Sequence, residues 1–164
     1  MKRIVIVRHG KAVPYGYDKD FKRDLRDRGK NDAKLISEEL NKRGISPDEM
    51  VSSPAKRAIK TAQIFAESLD FKPKKIRKVK EIYDGQTTGE FTEMVRQLPA
   101  EASTAFFFGH NPGFYYFASN LLKEFQGDMP TTSTVVIDFD VNTWPEVNAR
   151  EGDLVFQLVP RMFK

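Results

Sequence analysis

Short apolar segments alternate along the chain with longer segments whose apolar residues recur at helical spacing. Strands are predicted at residues 2–7, 49–52, 76–80, 104–108, 134–139 and 154–159, and helices at 27–43, 54–69, 88–98 and 113–124. The runs Ile4–Val7 and Ala105–Phe108 are continuously apolar, which is typical of strands buried on both faces. Strands that alternate with helices predict an α/β fold with a mostly parallel sheet covered on both faces.

Two of the predicted helices carry terminal signals. The sequence places Ser53 before Pro54, and this pair is typical of an N-cap followed by proline in the first helical position. The first predicted helix ends at Arg43 and Gly44, where glycine is a common stop. Both signals support the predicted positions of these helices.

The two histidines of the chain each follow a predicted strand. His9 stands in Arg8-His9-Gly10 after the first strand, and His110 stands in Gly109-His110-Asn111-Pro112 after the strand at 104–108. In open α/β sheets ligands bind beyond the carboxyl ends of the strands. A hydrogen-bonded structural histidine is the alternative for each position, since a short motif matches often by chance.

A third strand end brings another basic side chain towards the same edge. The segment Ser53–Ala62 follows the predicted strand at 49–52 and contains Arg57. Guanidinium groups keep their charge and present planar donors that match phosphate oxygens. Arg8, His9, Arg57 and His110 together therefore indicate a site for anionic chemistry.

Length and composition predict one soluble globular domain spanning residues 1–164. The sequence contains no cysteine, which excludes disulfides, thiolate catalysis and zinc sites built on cysteine. We expect no metal and no cofactor, because the spacing suggests no carboxylates around the two histidines. No apolar run approaches the roughly 18 residues of a membrane span, and the N-terminus lacks a signal-peptide layout, so a cytoplasmic protein is expected.

The formal charge of +4 and the pI of about 9.2 allow either nucleic-acid binding or attraction of an anionic substrate. Residues 72–80 carry the densest run of lysine and arginine. We favour a solvated edge strand for this run, with Ile76, Val79 and Ile82 packing inward. Nucleic acid is not an expected partner, because no stacking aromatics are interleaved in the run.

Four segments taken in order resemble a known family. They are Arg8–Ala12, Ser53–Ala62, Gly109–Pro112 and Pro130–Ser133. The set is similar to the histidine phosphatase superfamily, also called phosphoglycerate-mutase-like, and within it to the short SixA-like phosphohistidine phosphatase branch. The resemblance implies a three-layer α/β/α sandwich and a phosphate-accepting nucleophile at His9. It also implies that Arg8, Arg57 and His110 surround the phosphate.

Three further residues match the family less closely. Arg23 stands in Arg23-Asp24-Leu25-Arg26, where the SixA-like branch has Arg-Pro-Leu-Thr, and it is either a phosphate ligand or a solvated arginine. The backbone N–H of Asn111 is a candidate phosphate contact, although Asn111 and Pro112 are also typical helix openers. Glu81 is the nearest match to the family's general acid, and a surface glutamate is the alternative.

The residue types also support the chemistry. Phosphoryl transfer mainly requires positioning and neutralisation of the phosphoryl oxygens, which two arginines supply. A nucleophilic histidine must be neutral, and the charges of Arg8 and Arg57 are expected to lower the pKa of His9. His110 is expected to become protonated beside a bound phosphate and to donate to its oxygens. The loop at 11–26 lacks periodicity and is expected to be either functional or mobile.

The interpretation is a metal-independent phosphatase that acts through a phosphohistidine at His9, with protein phosphohistidine as the leading substrate. The alternatives are a small-molecule phosphomonoesterase of the same family and, in another class, a non-catalytic protein that binds phosphorylated ligands or nucleic acid. A mutase would use the same nucleophile, but the chain is short for the segments that would cover its pocket. The expected partner is therefore a phosphorylated protein or a small phosphate ester, and we expect a monomer without membrane contacts.

Overall fold

The computed structural model describes residues 1–16 and 19–164, and in this part of the chain six strands form one sheet. The strands are β1 (Lys2–Arg8), β2 (Glu49–Ser52), β3 (Arg77–Lys78), β4 (Thr104–Gly109), β5 (Thr134–Phe139) and β6 (Asp153–Leu158). Their order is β3-β2-β4-β1-β5-β6. The pairs β1–β4, β4–β2 and β2–β3 are parallel, whereas β5 runs antiparallel to β1 and β6. The predicted mostly parallel sheet is confirmed.

Helices cover both faces of this sheet. They are α1 (Asp27–Lys42), α2 (Lys56–Ser68), α3 (Lys80–Asp84), α4 (Thr88–Arg96) and α5 (Gly113–Leu121). Successive β1 side chains point to opposite faces, so Val5 and Val7 pack with α1 and α2 while Ile4 and Ile6 pack with α4 and α5. The expected α/β/α sandwich follows from this burial on both faces. Within the described ranges, no helix has the length and apolarity needed to cross a membrane.

The glycine stop of α1 is confirmed, but the predicted cap of α2 is wrong. Gly44 adopts a φ of +74° just after α1, a conformation that glycine tolerates best. Helix α2 begins at Lys56 rather than at residue 54, because Ala55 is still extended and serves as its N-cap. The Ser53 hydroxyl accepts the backbone N–H of Ala55 at 3.1 Å, outside the helix. Because the Ser53 hydroxyl accepts in this contact, it can still donate its own proton to another partner.

The region after α2 also differs from the prediction. The strand expected at 76–80 is reduced to Arg77–Lys78, and Lys80–Asp84 forms the short helix α3, which the sequence pattern did not predict. Ile76 and Ile82 are buried, and the lysines and arginine of the run are exposed at the sheet edge. The preferred interpretation of the basic run as a solvated edge is confirmed.

The carboxyl ends of β1, β4 and β2 meet at one edge of the sheet. Arg8 lies opposite Gly109, and Ser52 lies opposite Phe108. The segment after β1 then passes against the first turn of α1, where a Cβ atom on Gly29 would clash with the Lys11 carbonyl oxygen. This close backbone approach requires glycine and fixes the course of the chain that follows Arg8.

Candidate active site

The two histidines lie side by side at this edge. His9 follows β1 and His110 follows β4, and the backbone N–H of His9 donates to the Gly109 carbonyl at 3.0 Å. Their ring centroids are 5.3 Å apart. The parallel pairing of β1 with β4 thus brings together two imidazoles that are far apart in the sequence.

The His9 ring is oriented by a backbone carbonyl. Its Nδ1 lies 2.7 Å from the Gly10 carbonyl oxygen, which can only accept, so Nδ1 carries the proton and Nε2 of the neutral ring has a free lone pair. The pKa of His9 is lowered to about 4, chiefly by burial and in smaller part by the charges of Arg57 and Arg8. The predicted direction is therefore correct, although burial is a larger cause than the arginines. At neutral pH His9 presents an uncharged, nucleophilic Nε2.

Arg8 and Arg57 lie beside His9, and each guanidinium donates a hydrogen bond to a backbone carbonyl. Arg8 Nη1 donates to the Met129 carbonyl at 2.9 Å, and Arg57 Nη1 donates to the Asp20 carbonyl at 2.7 Å. Within residues 1–16 and 19–164, the Nε atoms of both arginines are buried without a hydrogen-bond partner. A buried unpaired donor costs ~1–3 kcal/mol, so these groups favour a ligand rich in acceptors.

His110 forms its hydrogen bond through Nε2, whereas His9 uses Nδ1. Its Nε2 lies 2.7 Å from the Ser53 hydroxyl, while its Nδ1 is buried without a partner in the described part of the chain. Burial, followed by the proximity of His9 and Arg57, lowers the pKa of His110 to about 3. His110 is neutral in this structure, and an anion bound beside it would favour its charged form.

The candidate residues line one cavity of about 240 Å³. Its lining comprises Arg8, His9, Lys11, Ala12, Tyr15, Arg23, Arg57, His110, Asn111 and Thr131. Four cationic side chains therefore surround His9 in a small space. Across the described residues, no group of three or more histidine, cysteine, aspartate or glutamate side chains is arranged to hold a metal ion.

Arg23 lies in the cavity rather than in solvent. It is 8% exposed, donates from Nη1 to the Val13 carbonyl at 2.8 Å, and stacks its guanidinium 3.9 Å from the Tyr15 ring centroid. The loop at 11–26 that carries it is closed by a bridge between Ala12 and Leu25. Residues 17 and 18 of this loop lie outside the described residues.

Asn111 lies in the cavity wall and supports its neighbours. Its side-chain amide donates to the Met129 carbonyl at 2.9 Å, the same oxygen that accepts from Arg8. Helix α5 begins at Gly113, directly after Pro112, as the helix-opening interpretation expects. The contact between the Asn111 backbone N–H and phosphate stays a prediction.

Glu81 is separated from the other candidates. It is exposed on α3 and lines a different cavity of about 410 Å³, together with Glu90 and Glu93. The turn of α3 explains this placement, because it buries Ile82 and directs Tyr83 towards the first cavity. The structure therefore does not support the prediction that Glu81 is positioned as the general acid.

Sequence reasoning missed several residues in or beside the cavity, and two of them, Asp20 and Tyr83, contact each other. The Asp20 carboxylate contacts both Arg23 and Arg57 and accepts the Tyr83 hydroxyl at 2.8 Å. The spacing of Asp20 three residues before Arg23 was a possible signal for their ion pair. Nothing in the sequence signalled Tyr83, because α3 is too short for a periodic pattern.

Comparison with protein families and solved structures gives consistent results. A family model described as the histidine phosphatase superfamily (branch 1) matches residues 4–115. The structure of the protein histidine phosphatase SixA complexed with tungstate superposes with a TM-score of 0.85 at 21% identity, covering 99% of each chain. SixA from Agrobacterium tumefaciens gives a TM-score of 0.81 at 23% identity, covering 97% of this chain and 98% of that one. At these identities the likeness is one of fold.

Sequence comparison finds relatives that match about half of this chain. The mitochondrial serine/threonine-protein phosphatase Pgam5 of Drosophila mojavensis is 31% identical over 84 residues, which cover 51% of this chain and 29% of that protein. Pgam5 of Drosophila grimshawi is 34% identical over 70 residues, covering 43% of this chain and 24% of that protein. The match thus spans less than a third of the length of these curated relatives.

Proposed function

We propose a phosphatase function on the premise that the chain belongs to the histidine phosphatase superfamily, whose model matches residues 4–115. In this proposal His9 accepts the phosphoryl group, and Arg8, Arg57 and His110 bind its oxygens. Arg23 adds a fourth positive group at the cavity wall. The enzyme releases inorganic phosphate after water cleaves the phosphohistidine.

One observation carries the proposal. The His9 Nδ1 contacts the Gly10 carbonyl, which leaves Nε2 free beside three buried nitrogens that lack protein partners in the described residues. These nitrogens are Nε of Arg8, Nε of Arg57 and Nδ1 of His110. A nucleophile surrounded by unpaired cationic or neutral donors is suited to attack on a phosphoryl group.

The reaction divides into two displacements. The Nε2 lone pair attacks phosphorus, and the bond from phosphorus to the leaving group breaks with its electron pair on that group, which then takes a proton. Water next attacks the phosphohistidine, the P–N bond breaks with its electrons returned to Nε2, and phosphate leaves. The arginines neutralise the oxygens in both steps, while His110 donates once the bound anion favours its protonation.

The leaving group decides which substrate suits this site. Glu81 lines another cavity. Burial acts to raise the pKa of Asp20, but the Tyr83 hydrogen bond and the charge of Arg57 hold it below its ordinary value, so neither carboxyl is suited to protonate an alkoxide. An imidazole leaves far more readily than an alkoxide and needs less help from an acid. The cavity of about 240 Å³ is also smaller than the ~300–1,000 Å³ of pockets that bury most of a small ligand. Both points favour phosphohistidine on a protein over a small phosphomonoester.

The test compares substrates and traps the intermediate. Phosphohistidine protein, phosphoserine and phosphotyrosine peptides, sugar phosphates and nucleotides are assayed with the same enzyme. We expect kcat/KM on the phosphohistidine protein to exceed that on any small ester by at least ~100-fold. Rapid quench with a labelled phosphoryl donor should give an acid-labile, base-stable adduct. A small metabolite with the higher kcat/KM would favour the phosphomonoesterase alternative, and binding without hydrolysis of any of these would favour the non-catalytic alternative.

A further inference from the structure

We propose that Asp20 is a positioning residue that aligns Arg23 and Arg57 for phosphate binding. This inference rests on the proposed function, since it concerns the same anion site. Asp20 belongs to a short 3-10 helix, Asp20–Lys22, inside the loop at 11–26. Its side chain is the acidic group that joins this loop to α2 and α3.

Donors converge on both oxygens of the Asp20 carboxylate. Oδ1 accepts from Arg23, with Nε and Nη2 each 3.0 Å away. Oδ2 accepts from Arg57 Nη2 at 3.2 Å and from the Tyr83 hydroxyl at 2.8 Å. Two guanidiniums and a phenol that belong to different elements are therefore held by a single side chain.

The contacts with Asp20 fix which edge of Arg57 remains for a ligand. Both terminal nitrogens of Arg57 point towards Asp20, Nη1 to its backbone carbonyl at 2.7 Å and Nη2 to its carboxylate. The Nε atom is left buried and without a partner in the described part of the chain. Asp20 thus orients the guanidinium so that its Nε–H remains available to an anion.

The same contacts extend to the second histidine. The Tyr83 ring lies edge-on to His110, with centroids 5.7 Å apart, and Phe21 packs edge-on against Tyr83 at 5.1 Å. Loss of the Asp20 carboxylate would therefore remove contacts from Arg23, Arg57 and Tyr83 at the same time. A positioning role predicts weaker phosphate binding in that case.

Simple electrostatics predicts the opposite sign. Asp20 is a negative charge near an anion site, so its neutralisation alone should strengthen anion binding. An asparagine, however, accepts through only one oxygen and presents N–H donors where Arg57, Arg23 or Tyr83 already donate. Weaker phosphate binding by the asparagine variant therefore indicates that Asp20 aligns the arginines. Tighter binding indicates that only its charge matters.

The experiment measures the affinity for inorganic phosphate by titration calorimetry in wild type, Asp20→Asn and Asp24→Asn. Asp24 is a matched control, because it lies in the same loop, its side chain is 32% exposed against 34% for Asp20, and it pairs with Lys56 at 3.4 Å. We expect Asp20→Asn to bind phosphate at least ~10-fold more weakly, about 1.4 kcal/mol. Asp24→Asn should stay within about twofold of wild type, and Asp20→Glu should recover part of the lost affinity.

A second variant guards against misfolding of the first. Tyr83→Phe removes one donor from Oδ2 but keeps the ring beside His110, so it should weaken phosphate binding by ~3-fold. Equal or tighter binding by Asp20→Asn, or an equal loss in Asp24→Asn, would overturn the positioning role. If wild type binds phosphate but hydrolyses no substrate, the phosphatase proposal fails while the affinity comparison still tests Asp20. A wild type without phosphate affinity would overturn both.

Discussion

The segments that follow β1 and β4 occupy equivalent places in the fold yet hold their histidines in opposite ways. After β1, a carbonyl fixes Nδ1 of His9 and leaves Nε2 available. After β4, the Ser53 hydroxyl contacts Nε2 of His110 and leaves Nδ1 available. Two imidazoles with centroids 5.3 Å apart therefore offer different nitrogens to the same cavity.

The Gly10 carbonyl and the Ser53 hydroxyl also differ in whether they can donate a hydrogen bond, and this difference matters more than which ring nitrogen they contact. A carbonyl accepts only, so it requires a proton on Nδ1 of His9 and preserves the Nε2 lone pair of the neutral ring. A hydroxyl can donate to a neutral imidazole and accept from a protonated one, so His110 can change its charge without losing Ser53. In the proposed reaction, this difference suits His9 to nucleophilic attack and His110 to anion-dependent donation.

The largest expected effect comes from removal of the nucleophile. His9→Ala should lower kcat by at least ~10⁴-fold and abolish the trapped adduct, because the proposed reaction takes its nucleophilic lone pair from His9. Phosphate affinity and the circular dichroism spectrum should be largely retained. Activity within tenfold of wild type would remove His9 from this role.

His110→Ala should have a smaller effect of a different kind. We expect kcat to fall by ~10²- to 10³-fold, as for loss of one transition-state donor, with an adduct that still forms slowly. Rapid quench then distinguishes the two histidines, since only the His9 variant should fail to accept label. An unlabelled His110→Ala protein would contradict the division of roles.

Acid should destabilise the fold through both histidines. The pKa values of about 4 and about 3 in the folded state lie below the ordinary 6.5, so between pH 6.5 and 4 the unfolded chain binds protons that the folded chain does not. The free energy of unfolding should fall as pH decreases, by about 2 kcal/mol per histidine at pH 5. Urea unfolding at pH 7 and pH 5 should show a smaller loss in either alanine variant, and an unchanged loss would argue against burial of neutral imidazoles.

The smallest effect is expected from the partner of His110. Ser53→Ala should lower kcat by ~10-fold, because the imidazole loses the group that stabilises both of its protonation states. It should also cost about 1 kcal/mol of stability, since the Ala55 N–H loses its acceptor. Ser52→Ala is the matched control, because Ser52 is an equally buried neighbour that donates only to the Ser53 carbonyl. Equal losses of kcat in both variants would mean that the His110–Ser53 contact has no separate function.

The strands and several residues of the candidate site could be predicted from the sequence. Continuous apolar runs such as Ile4–Val7 are buried on both sheet faces, and they located β1 and β4 and therefore the two histidines. Arg57 and Arg23 could be placed in the same cavity by resemblance to the family. These successes depend on patterns within single segments.

The errors depend on contacts between segments. Ser53 has a sequence typical of a helix cap, but its distance to His110 is set by the pairing of β2 with β4. Glu81 and Tyr83 lie in a helix of five residues, and the turn of that helix decides which of them faces the cavity. Asp20 acquires its contacts only when the loop at 11–26, α2 and α3 meet. No local sequence pattern predicts these contacts, because they form only between segments that are distant in the sequence.

The close contact between Gly29 and Lys11 has a consequence for how this scaffold diversifies. Beside His9, the backbone of Gly10 and Lys11 packs directly against the backbone of Gly29. A larger residue at either glycine would collide with that backbone, so these positions tolerate few substitutions. The outer part of the loop at 11–26 is held instead by side-chain contacts such as those of Asp20 and Arg23. Directed evolution towards new phosphate carriers should therefore find its productive mutations around Tyr15 and Phe21 and almost none at Gly10 or Gly29.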